Sequence, residues 1–338
     1  MKKALYKNTI DSRRSCPIKK KVLVTRKPPE HVLKELKNHF EIDLWDSEED
    51  KIPRDILLKQ IEEVDGVLCL LTENMNKEIL ERGKNLMVIS NLAVGYNNID
   101  VNGASEKGIM VTNTPGVLTE TTADLTFALM LATSRKLVEA ANVLREGKWK
   151  TWSPMFLTGM DIHGATLGII GLGEIGAAVA RRAKGFGMNM MYYNRTPKPF
   201  LEKEIGIQYV SKEELLRNSD FVCVLTPLNK ETENLITKKE LNLMKKTAIL
   251  INTSRGGIVN EQDLTEALSD GVIWGAGLDV FDQEPISVHH PLLKLSNVVA
   301  LPHIGSASIQ TRTKMWELAA HNLTIALSGG TPPHLVNK

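Results

Sequence analysis

The sequence predicts an α/β protein with two doubly wound parallel sheets, and two observations carry this prediction. Short apolar runs alternate with helix-like segments from residue 21 onward, and a second alternating series runs from residue 166 to about residue 305. Such alternation is typical of βαβ units, whose strands pair in parallel. The chain has 338 residues, enough for about two domains at roughly 100–200 residues each.

The first series begins with the apolar run "KVLVTR", and "PPEHVLKELKNHF" follows with apolar residues at helical spacing. Further strands are predicted at "EIDLW", "DGVLCLL" and "LMVISNL", and further helices at "PRDILLKQIEEV" and "NKEILERG". Thr119 or Thr121 is expected to cap a long helix that ends near Arg135. Because this helix is apolar nearly all round, we expect it between domains or subunits, and it suggests a homodimer. A final helix, "MWELAAHNLTIALSGG", should pack back on the first domain.

Composition and charge argue against several classes of protein. The net charge is +2 with basic and acidic residues interspersed, which predicts no nucleic-acid partner, and no run reaches the ~18 apolar residues of a membrane span. Cys16, Cys69 and Cys223 are isolated, which indicates reduced thiols in the cytoplasm and no metal site. Residues 1–20 are basic without an apolar core, so we expect a flexible N-terminal extension.

A glycine-rich loop opens the second series. In "ATLGIIGLGEIG", Gly171 permits a tight turn, Gly173 lets the backbone approach a pyrophosphate, and Gly176 allows close packing of helix on strand. The amides of Glu174 and Ile175 at the helix start can hold the phosphates. Because the strand "NMMYYN" follows, the motif indicates a Rossmann-type dinucleotide-binding domain.

The end of that strand bears on the choice of cofactor. It carries Asn194, Arg195 and Thr196, where an NAD enzyme usually has an Asp or Glu for the ribose hydroxyls. A guanidinium can pair with a 2′-phosphate and a threonine hydroxyl can donate to it, whereas a carboxylate would repel it. The loop therefore predicts NADP(H) as the preferred cofactor, with NAD(H) possible. The alternative is a permissive site in which Arg195 is only a solvated charge.

Three charged residues follow later strand-like runs. Arg255 lies in "NTSRGGIVNEQDL", Glu284 in "GAGLDVFDQEP" and His303 in "NVVALPHIGSAS". Ligands bind at the carboxyl ends of strands in open α/β sheets, so we expect these side chains to converge. Each of them, taken alone, could equally be a packing or surface residue.

From about residue 21 to residue 331 the chain resembles the D-isomer-specific 2-hydroxyacid dehydrogenase family, most closely its glyoxylate and hydroxypyruvate reductases. The resemblance is densest in the motifs above and extends to "NLAVGYNNID" and "TPGVLTETTADL". It implies that Arg255, Glu284 and His303 are catalytic. It also implies two sets of binding residues. For substrate these are Leu71, Val94 and Gly95 with Arg255 and His303; for the nicotinamide end of the cofactor they are Thr226, Pro227, Thr253, Asp279 and Gly305.

The chemistry of keto-acid reduction suits these residue types. His303 can act as general acid on the carbonyl oxygen, Glu284 can orient the imidazole, and Arg255 can grip the carboxylate. The reactions implied are glyoxylate to glycolate and hydroxypyruvate to D-glycerate. A relative acting on 2-ketogluconate or 3-phosphoglycerate is the nearest alternative, and a dinucleotide-sensing, corepressor-like protein is an alternative of another class.

The resemblance also implies two Rossmann or flavodoxin-like domains with the active site in the cleft between them. We expect a discontinuous substrate-binding domain, residues 21–117 plus 305–338, and a cofactor domain, residues 118–304. Trp152 and Met155 either reach a partner subunit's active site or pack in a dimer interface.

Overall fold

The computed structural model describes residues 19–337, so Cys16 and all but two residues of the predicted N-terminal extension lie outside the described residues. The described chain forms two parallel sheets, of five and seven strands. The predicted fold class, α/β with two doubly wound domains, is confirmed. The boundaries of the two domains stay a prediction.

The first sheet has the strand order β2-β1-β3-β4-β5, with every neighbour parallel. This is the flavodoxin-like order. Its strands are β1 (Lys21–Val24), β2 (Glu41–Leu44), β3 (Gly66–Cys69), β4 (Val88–Asn91) and β5 (Met110–Thr112). The helices between them are α1 (Glu30–His39), α2 (Arg54–Gln60), α3 (Lys77–Arg82) and α4 (Val101–Glu106).

Two helices, α5 (Thr119–Ser134) and α6 (Leu137–Arg145), connect the first sheet to the second. The second sheet has the order β12-β11-β10-β9-β6-β7-β8, which is the Rossmann order extended by one strand. Its strands are β6 (Thr166–Ile170), β7 (Asn189–Tyr193), β8 (Gln208–Tyr209), β9 (Phe221–Val224), β10 (Ile249–Asn252), β11 (Gly275–Leu278) and β12 (Val298–Ala300). Its helices are α7 (Glu174–Gly185), α8 (Pro199–Leu201), α9 (Lys212–Asn218), α10 (Lys238–Leu241) and α11 (Glu261–Ser269).

The long apolar helix α5 is buried against α7, β10 and β11 of its own chain. The predicted threonine cap is wrong: Leu118 occupies the N-cap position, and no side chain caps the helix. The hydroxyl of Thr121 instead lies 2.7 Å from that of Thr311. Because the second sheet covers α5, its apolar surface is explained without a partner subunit.

The last helix, α12 (Ile309–Leu327), packs against α1, β3 and β4 of the first sheet, as its sequence predicts. It begins six residues before the predicted start at Met315, because the Ser308 hydroxyl accepts a hydrogen bond from the N–H of Thr311 at 3.2 Å. This N-cap satisfies one of the free amides of the first turn. The chain thus returns from the second sheet to the first directly after His303, which brings that residue to the cleft.

Both described cysteines, Cys69 and Cys223, are fully buried in strands, and burial raises the pKa of each thiol. They are core residues, as their apolar surroundings in the sequence predict. Among residues 19–337, no helix is long and apolar enough to span a membrane. No cluster of three His, Cys, Asp or Glu side chains in this range could hold a metal ion.

Candidate active site

The glycine loop follows β6 at the point where strand order reverses between β6 and β9. Gly171 has a φ of +102°, and a Cβ on it would lie 2.7 Å from the backbone of Leu225. A Cβ on Gly176 would lie 2.4 Å from the carbonyl oxygen of Gly171, so only glycine lets α7 pack this close. Gly173 differs, since a Cβ there would meet nothing within 4 Å. Its lack of a side chain leaves open space above the loop, as a bound pyrophosphate requires.

The start of α7 is open to a ligand. Gly173 is its N-cap and offers no side-chain acceptor. Within residues 19–337, the N–H groups of Glu174 and Ile175 have no hydrogen-bond acceptor. Free amides at a helix start carry partial positive charge and bind phosphates well. The residues present therefore fit a dinucleotide.

The end of β7 lies beside this loop. The Asn194 side chain accepts a hydrogen bond from the N–H of Leu172 at 2.7 Å, so it fixes the glycine loop to β7. Arg195 and Thr196 are exposed, and the Arg195 guanidinium pairs with the carboxylate of Glu231. Glu231 lies 36 residues away in a surface turn after β9, and no signal in the sequence marks it as a partner of Arg195. The structure leaves Arg195 accessible for an anionic group.

The residues predicted at the nicotinamide end lie at neighbouring strand ends. The Cβ that Gly171 lacks would be 2.8 Å from the N–H nitrogen of Thr226, which puts the loop after β9 against the glycine loop. Thr253 follows β10, and its hydroxyl lies 2.7 Å from that of Thr126 on α5. Pro227 is exposed, and its carbonyl accepts a hydrogen bond from Thr232. Thus Thr226 and Thr253 lie at the same carboxyl edge of the second sheet as the glycine loop.

Asp279 follows β11 and holds the loop that carries the predicted catalytic histidine. Its two carboxylate oxygens accept hydrogen bonds from the N–H groups of Ile304 at 2.8 Å and Gly305 at 2.7 Å. Burial raises the pKa of Asp279, although these two bonds act in the opposite direction. His303, which precedes Ile304, has a φ of +54°, a conformation uncommon for a non-glycine residue. Asp279 therefore has a structural role that its expected cofactor contact did not indicate.

His303 and Glu284 form a close pair. The Nδ1 of His303 lies 2.6 Å from Oε2 of Glu284, while Oε1 of Glu284 accepts a hydrogen bond from the N–H of Phe281 at 3.0 Å. Burial alone would raise the pKa of Glu284, but the hydrogen bond and charge of His303 outweigh it and hold that pKa below its usual value. The carboxylate is thus ionised and holds the Nδ1 edge of the imidazole ring. This leaves Nε2 as the ring nitrogen available to a substrate.

Arg255 joins this pair to the first sheet. Burial lowers the pKa of Arg255, and the charge of Glu284 partly opposes this effect. Its Nη1 donates to the carbonyl of Ser254 at 2.7 Å and its Nε donates to the Oδ1 of Asn97 at 3.3 Å. A Cβ on Gly95 would lie 2.5 Å from Nη2, so the guanidinium lies directly against the turn after β4. Asn97 is not recognisable from the sequence, because its partner Arg255 is 158 residues away.

The turn after β4 offers two further donors. The N–H groups of Val94 and Gly95 have no acceptor among residues 19–337. Leu71 is partly buried in the loop after the neighbouring strand β3. Arg255, Val94 and Gly95 together can bind a small carboxylate, because a guanidinium and successive amides both favour an anion. Glu284, the partner of His303, is close enough to Arg255 for its charge to oppose the lowering of the Arg255 pKa by burial, so the two parts of the site are neighbours.

Trp152 and Met155 lie on the surface, with 77% and 76% of each residue exposed. They follow α6 in a segment rich in exposed apolar side chains. The structure of one chain does not bring them to the cleft.

The chain has clear relatives. Residues 127–305 match the profile of a family described as "D-isomer specific 2-hydroxyacid dehydrogenase, NAD binding domain". A protein named glyoxylate reductase from Korarchaeum cryptofilum is 50% identical over 324 residues, which cover 95% of this chain and 97% of the relative. One of the same name from Thermococcus litoralis is 50% identical over 325 residues, covering 95% and 98%.

Solved structures of other proteins are also similar to this chain over most of its length. The TT0316 protein from Thermus thermophilus superimposes with a TM-score of 0.87 at 45% identity, covering 94% of this chain and 99% of its own. An NADPH-dependent glyoxylate/hydroxypyruvate reductase from Sinorhizobium meliloti, in complex with NADP and malonate, has a TM-score of 0.81 at 34% identity, with 94% and 97% covered.

Proposed function

Because this chain belongs to the D-isomer-specific 2-hydroxyacid dehydrogenase family, we propose that it is a reductase of small 2-keto acids that prefers NADPH. Its substrates are glyoxylate, reduced to glycolate, and hydroxypyruvate, reduced to D-glycerate. The observation that carries the proposal is the arrangement in one cleft of the His303–Glu284 pair, the Arg255 guanidinium and the free amides of Val94 and Gly95. The names of the relatives, glyoxylate reductase and glyoxylate/hydroxypyruvate reductase, support the same substrates.

In this proposal each residue has one task. The substrate carboxylate binds the amides of Val94 and Gly95, and Arg255 contacts both the carboxylate and the keto oxygen. The bound reduced nicotinamide supplies the hydride that the carbonyl carbon accepts. The Nε2–H of His303 gives its proton to the keto oxygen, so that one hydride and one proton make the hydroxyl group. Glu284 stabilises the imidazolium before the transfer, and Arg255 stabilises the negative charge that develops on oxygen.

The cofactor is a nicotinamide dinucleotide held at the glycine loop, and the proposed preference for NADPH depends on Arg195 and Thr196. Both are exposed at the end of β7, where the 2′-phosphate of the adenosine ribose would lie. Arg195 already pairs with one anionic group, the carboxylate of Glu231. A 2′-phosphate carries more charge and can replace it. The S. meliloti relative is named as NADPH-dependent, which supports this preference.

We further propose that the protein is a cytoplasmic homodimer, with residues 21–117 and 305–338 as substrate-binding domain and residues 118–304 as cofactor domain. The cytoplasmic location rests on Cys69 and Cys223, which are free thiols in the described part of the chain. The dimer interface is the apolar arm, residues 137–156. Its exposed apolar residues are Leu137, Val138, Leu144, Trp149, Trp152, Met155 and Phe156. A large exposed apolar patch is typical of a protein interface, and from it Trp152 and Met155 would reach the partner.

Initial rates of NADPH and NADH oxidation with glyoxylate and with hydroxypyruvate test the proposal. We expect turnover with both keto acids and a kcat/KM about tenfold or more higher with NADPH, which corresponds to ~1.4 kcal/mol. Turnover of 2-ketogluconate alone would replace these substrates by a sugar acid. Cofactor binding without turnover of any keto acid would favour a dinucleotide-sensing protein.

A further inference from the structure

Two carbonyls of the turn after β4 accept hydrogen bonds from the segment that follows β5. The carbonyl of Ala93 accepts a hydrogen bond from the N–H of Thr114 at 2.9 Å. The carbonyl of Val94 accepts one from the side-chain amide of Asn113 at 2.8 Å. In a trans peptide the C=O and the following N–H point in opposite directions. These two bonds therefore turn the N–H groups of Val94 and Gly95 away from the segment after β5.

The other side of the turn carries the positive charge of the site. The Arg255 guanidinium lies against Gly95, with Nη2 2.5 Å from the position of the missing Cβ. Since the N–H groups of Val94 and Gly95 have no acceptor in the described chain, they are free to bind an anion beside that guanidinium. The direction of the two N–H groups decides how well they do so, because hydrogen bonds weaken steeply with misalignment.

Asn113 is itself fixed by the last part of the chain. Its N–H donates to the carbonyl of His334 at 3.3 Å, and its carbonyl accepts from the side chain of Asn322 on α12 at 3.1 Å. These bonds use the backbone of Asn113, as does the bond of its neighbour Thr114 to Ala93. A change of the side chain at position 113 therefore removes the bond to Val94 and leaves the others in place.

We propose that Asn113 is a positioning residue for substrate binding: its side-chain amide holds the Val94 carbonyl so that the Gly95 N–H points at the substrate carboxylate. This inference rests on the proposed function, since it assumes that a 2-keto acid binds at the turn. Asn113 touches no substrate itself. It acts by keeping one peptide plane in orientation, and it thereby sets the affinity for the keto acid rather than the rate of the chemical step.

The test replaces the amide by a carboxylate of the same shape. In Asn113→Asp the donor becomes an acceptor that repels the Val94 carbonyl, whereas Asn113→Ala only deletes the bond. The matched control is Asn297→Asp. The partly buried Asn297 amide donates to the carbonyls of Leu268 at 3.3 Å and Trp274 at 3.2 Å. These residues lie on α11 and just before β11, away from the turn after β4. This control reports the cost of losing an amide donor in general.

Two readouts are measured on the full chain: the KM for glyoxylate with kcat, and the Kd of oxalate with NADPH bound, by calorimetry. We expect both KM and Kd to rise about tenfold in Asn113→Asp and less in Asn113→Ala. The kcat and the KM for NADPH should stay within about twofold of wild type, and Asn297→Asp should change neither oxalate nor glyoxylate binding.

The outcomes separate this inference from the proposed function. If the wild type turns over no keto acid, the proposed function fails, and the oxalate titration alone decides the inference. Equal oxalate affinity in wild type and Asn113→Asp overturns it, as does a wild type that binds no oxalate. A loss of affinity equal to that in Asn297→Asp also overturns it, because the effect would then be general destabilisation.

Discussion

His303 is held through one ring nitrogen, and this leaves the other for chemistry. Its Nδ1 faces Glu284, and the loop that carries it is fixed by the hydrogen bonds that the Asp279 carboxylate accepts from the N–H groups of Ile304 and Gly305. The ring therefore has little freedom to turn, so its proton donor is directed before substrate binds. Enzymes gain rate from such prior orientation, because a misplaced acid must pay the ordering cost during the reaction.

Replacing Glu284 by Gln tests this pair at the residue scale. The amide can still accept from Nδ1–H but carries no charge to stabilise the imidazolium. We expect the reductive kcat to fall about 10–100-fold, less than the roughly 10²–10⁴-fold that a positioned acid or base contributes, because His303 itself remains. The control is Glu261→Gln, which alters another His–Glu contact, with His290 at 3.3 Å, and should leave kcat within about twofold of wild type. A wild-type kcat in Glu284→Gln would contradict the assigned role.

The same substitution gives a prediction for stability. Because the folded-state pKa of Glu284 is lowered, its charge adds stability that is complete above the unfolded-state pKa of about 4.3 and is lost as pH falls through the lower folded value. The difference in free energy of unfolding between wild type and Glu284→Gln should thus shrink from pH 7 toward pH 3. Urea unfolding at several pH values measures it, and a difference that grows on acidification would be evidence against the pairing.

The cofactor loop offers a second test at this scale. We expect Arg195→Ala to lower kcat/KM for NADPH about tenfold and to leave NADH within twofold. Glu231→Gln should instead raise it for NADPH by about two- to fivefold, since an exposed ion pair that competes with the phosphate is worth up to ~1 kcal/mol. Arg217→Ala is the control, because Arg217 is also an exposed arginine paired with a glutamate, Glu213 on α9. Equal losses with both cofactors in Arg195→Ala would count against a phosphate contact.

At the scale of elements, the loop and helix that follow β6 show why one glycine is structural and another is open. Gly171 and Gly176 lie where a Cβ would meet backbone atoms within 2.7 and 2.4 Å, so the close packing of α7 on β6 requires them. Gly173 has no such neighbour. At Gly173 this free space lies beside the amides of α7 that are unpaired in the described chain, where a pyrophosphate would bind.

Gly173→Ala should therefore fold normally and lose cofactor. We expect an unchanged thermal midpoint and a KM for NADPH raised more than tenfold, because the methyl group occupies the space above the free amides of α7. Gly185→Ala, at the other end of the same helix, also meets nothing within 4 Å, and it should raise stability by about 0.5–1 kcal/mol without changing cofactor KM. Thermal unfolding and steady-state kinetics measure both variants, and tight NADPH binding by Gly173→Ala would rule out a pyrophosphate at this loop.

At the scale of the whole molecule, the reason to expect a dimer is the exposed apolar surface of residues 137–156 and not helix α5. The sequence drew attention to α5, but that helix is covered by α7, β10 and β11. Of the thirteen large apolar side chains that are exposed in the described chain, seven lie in the arm, residues 137–156. If these side chains pack against a second copy of the chain, their removal from water favours association through the hydrophobic effect.

A charge within the arm should therefore separate the subunits. Leu144 is 63% exposed, and we expect Leu144→Glu to be monomeric by light scattering at micromolar concentration while the wild type is dimeric. Phe200→Glu is the control, since Phe200 is 78% exposed but lies outside the arm, and it should stay dimeric. A monomeric wild type would remove the proposed interface.

The sequence by itself determined the fold class and the glycine loop, and its resemblance to the family predicted Arg255, Glu284 and His303 as the catalytic group. It could do so because strand and helix periods, glycine conformations and the side chains at strand ends are local features that repeat along the chain. The carboxyl ends of the predicted strands marked the edge of the sheet where binding residues were expected. Helix ends were less well predicted, as at α5, because the Thr121 hydroxyl found a distant partner in Thr311.

Only the tertiary structure decided which residues from distant segments meet. The contact of Arg255 with Asn97, of Asn113 with Val94 and of Arg195 with Glu231 joins side chains whose separation in the sequence follows no period. Asp279 shows the same limit, since its amide partners lie on the next strand end. The order in which strands pair brings such residues together, and that order is fixed by packing over the whole chain.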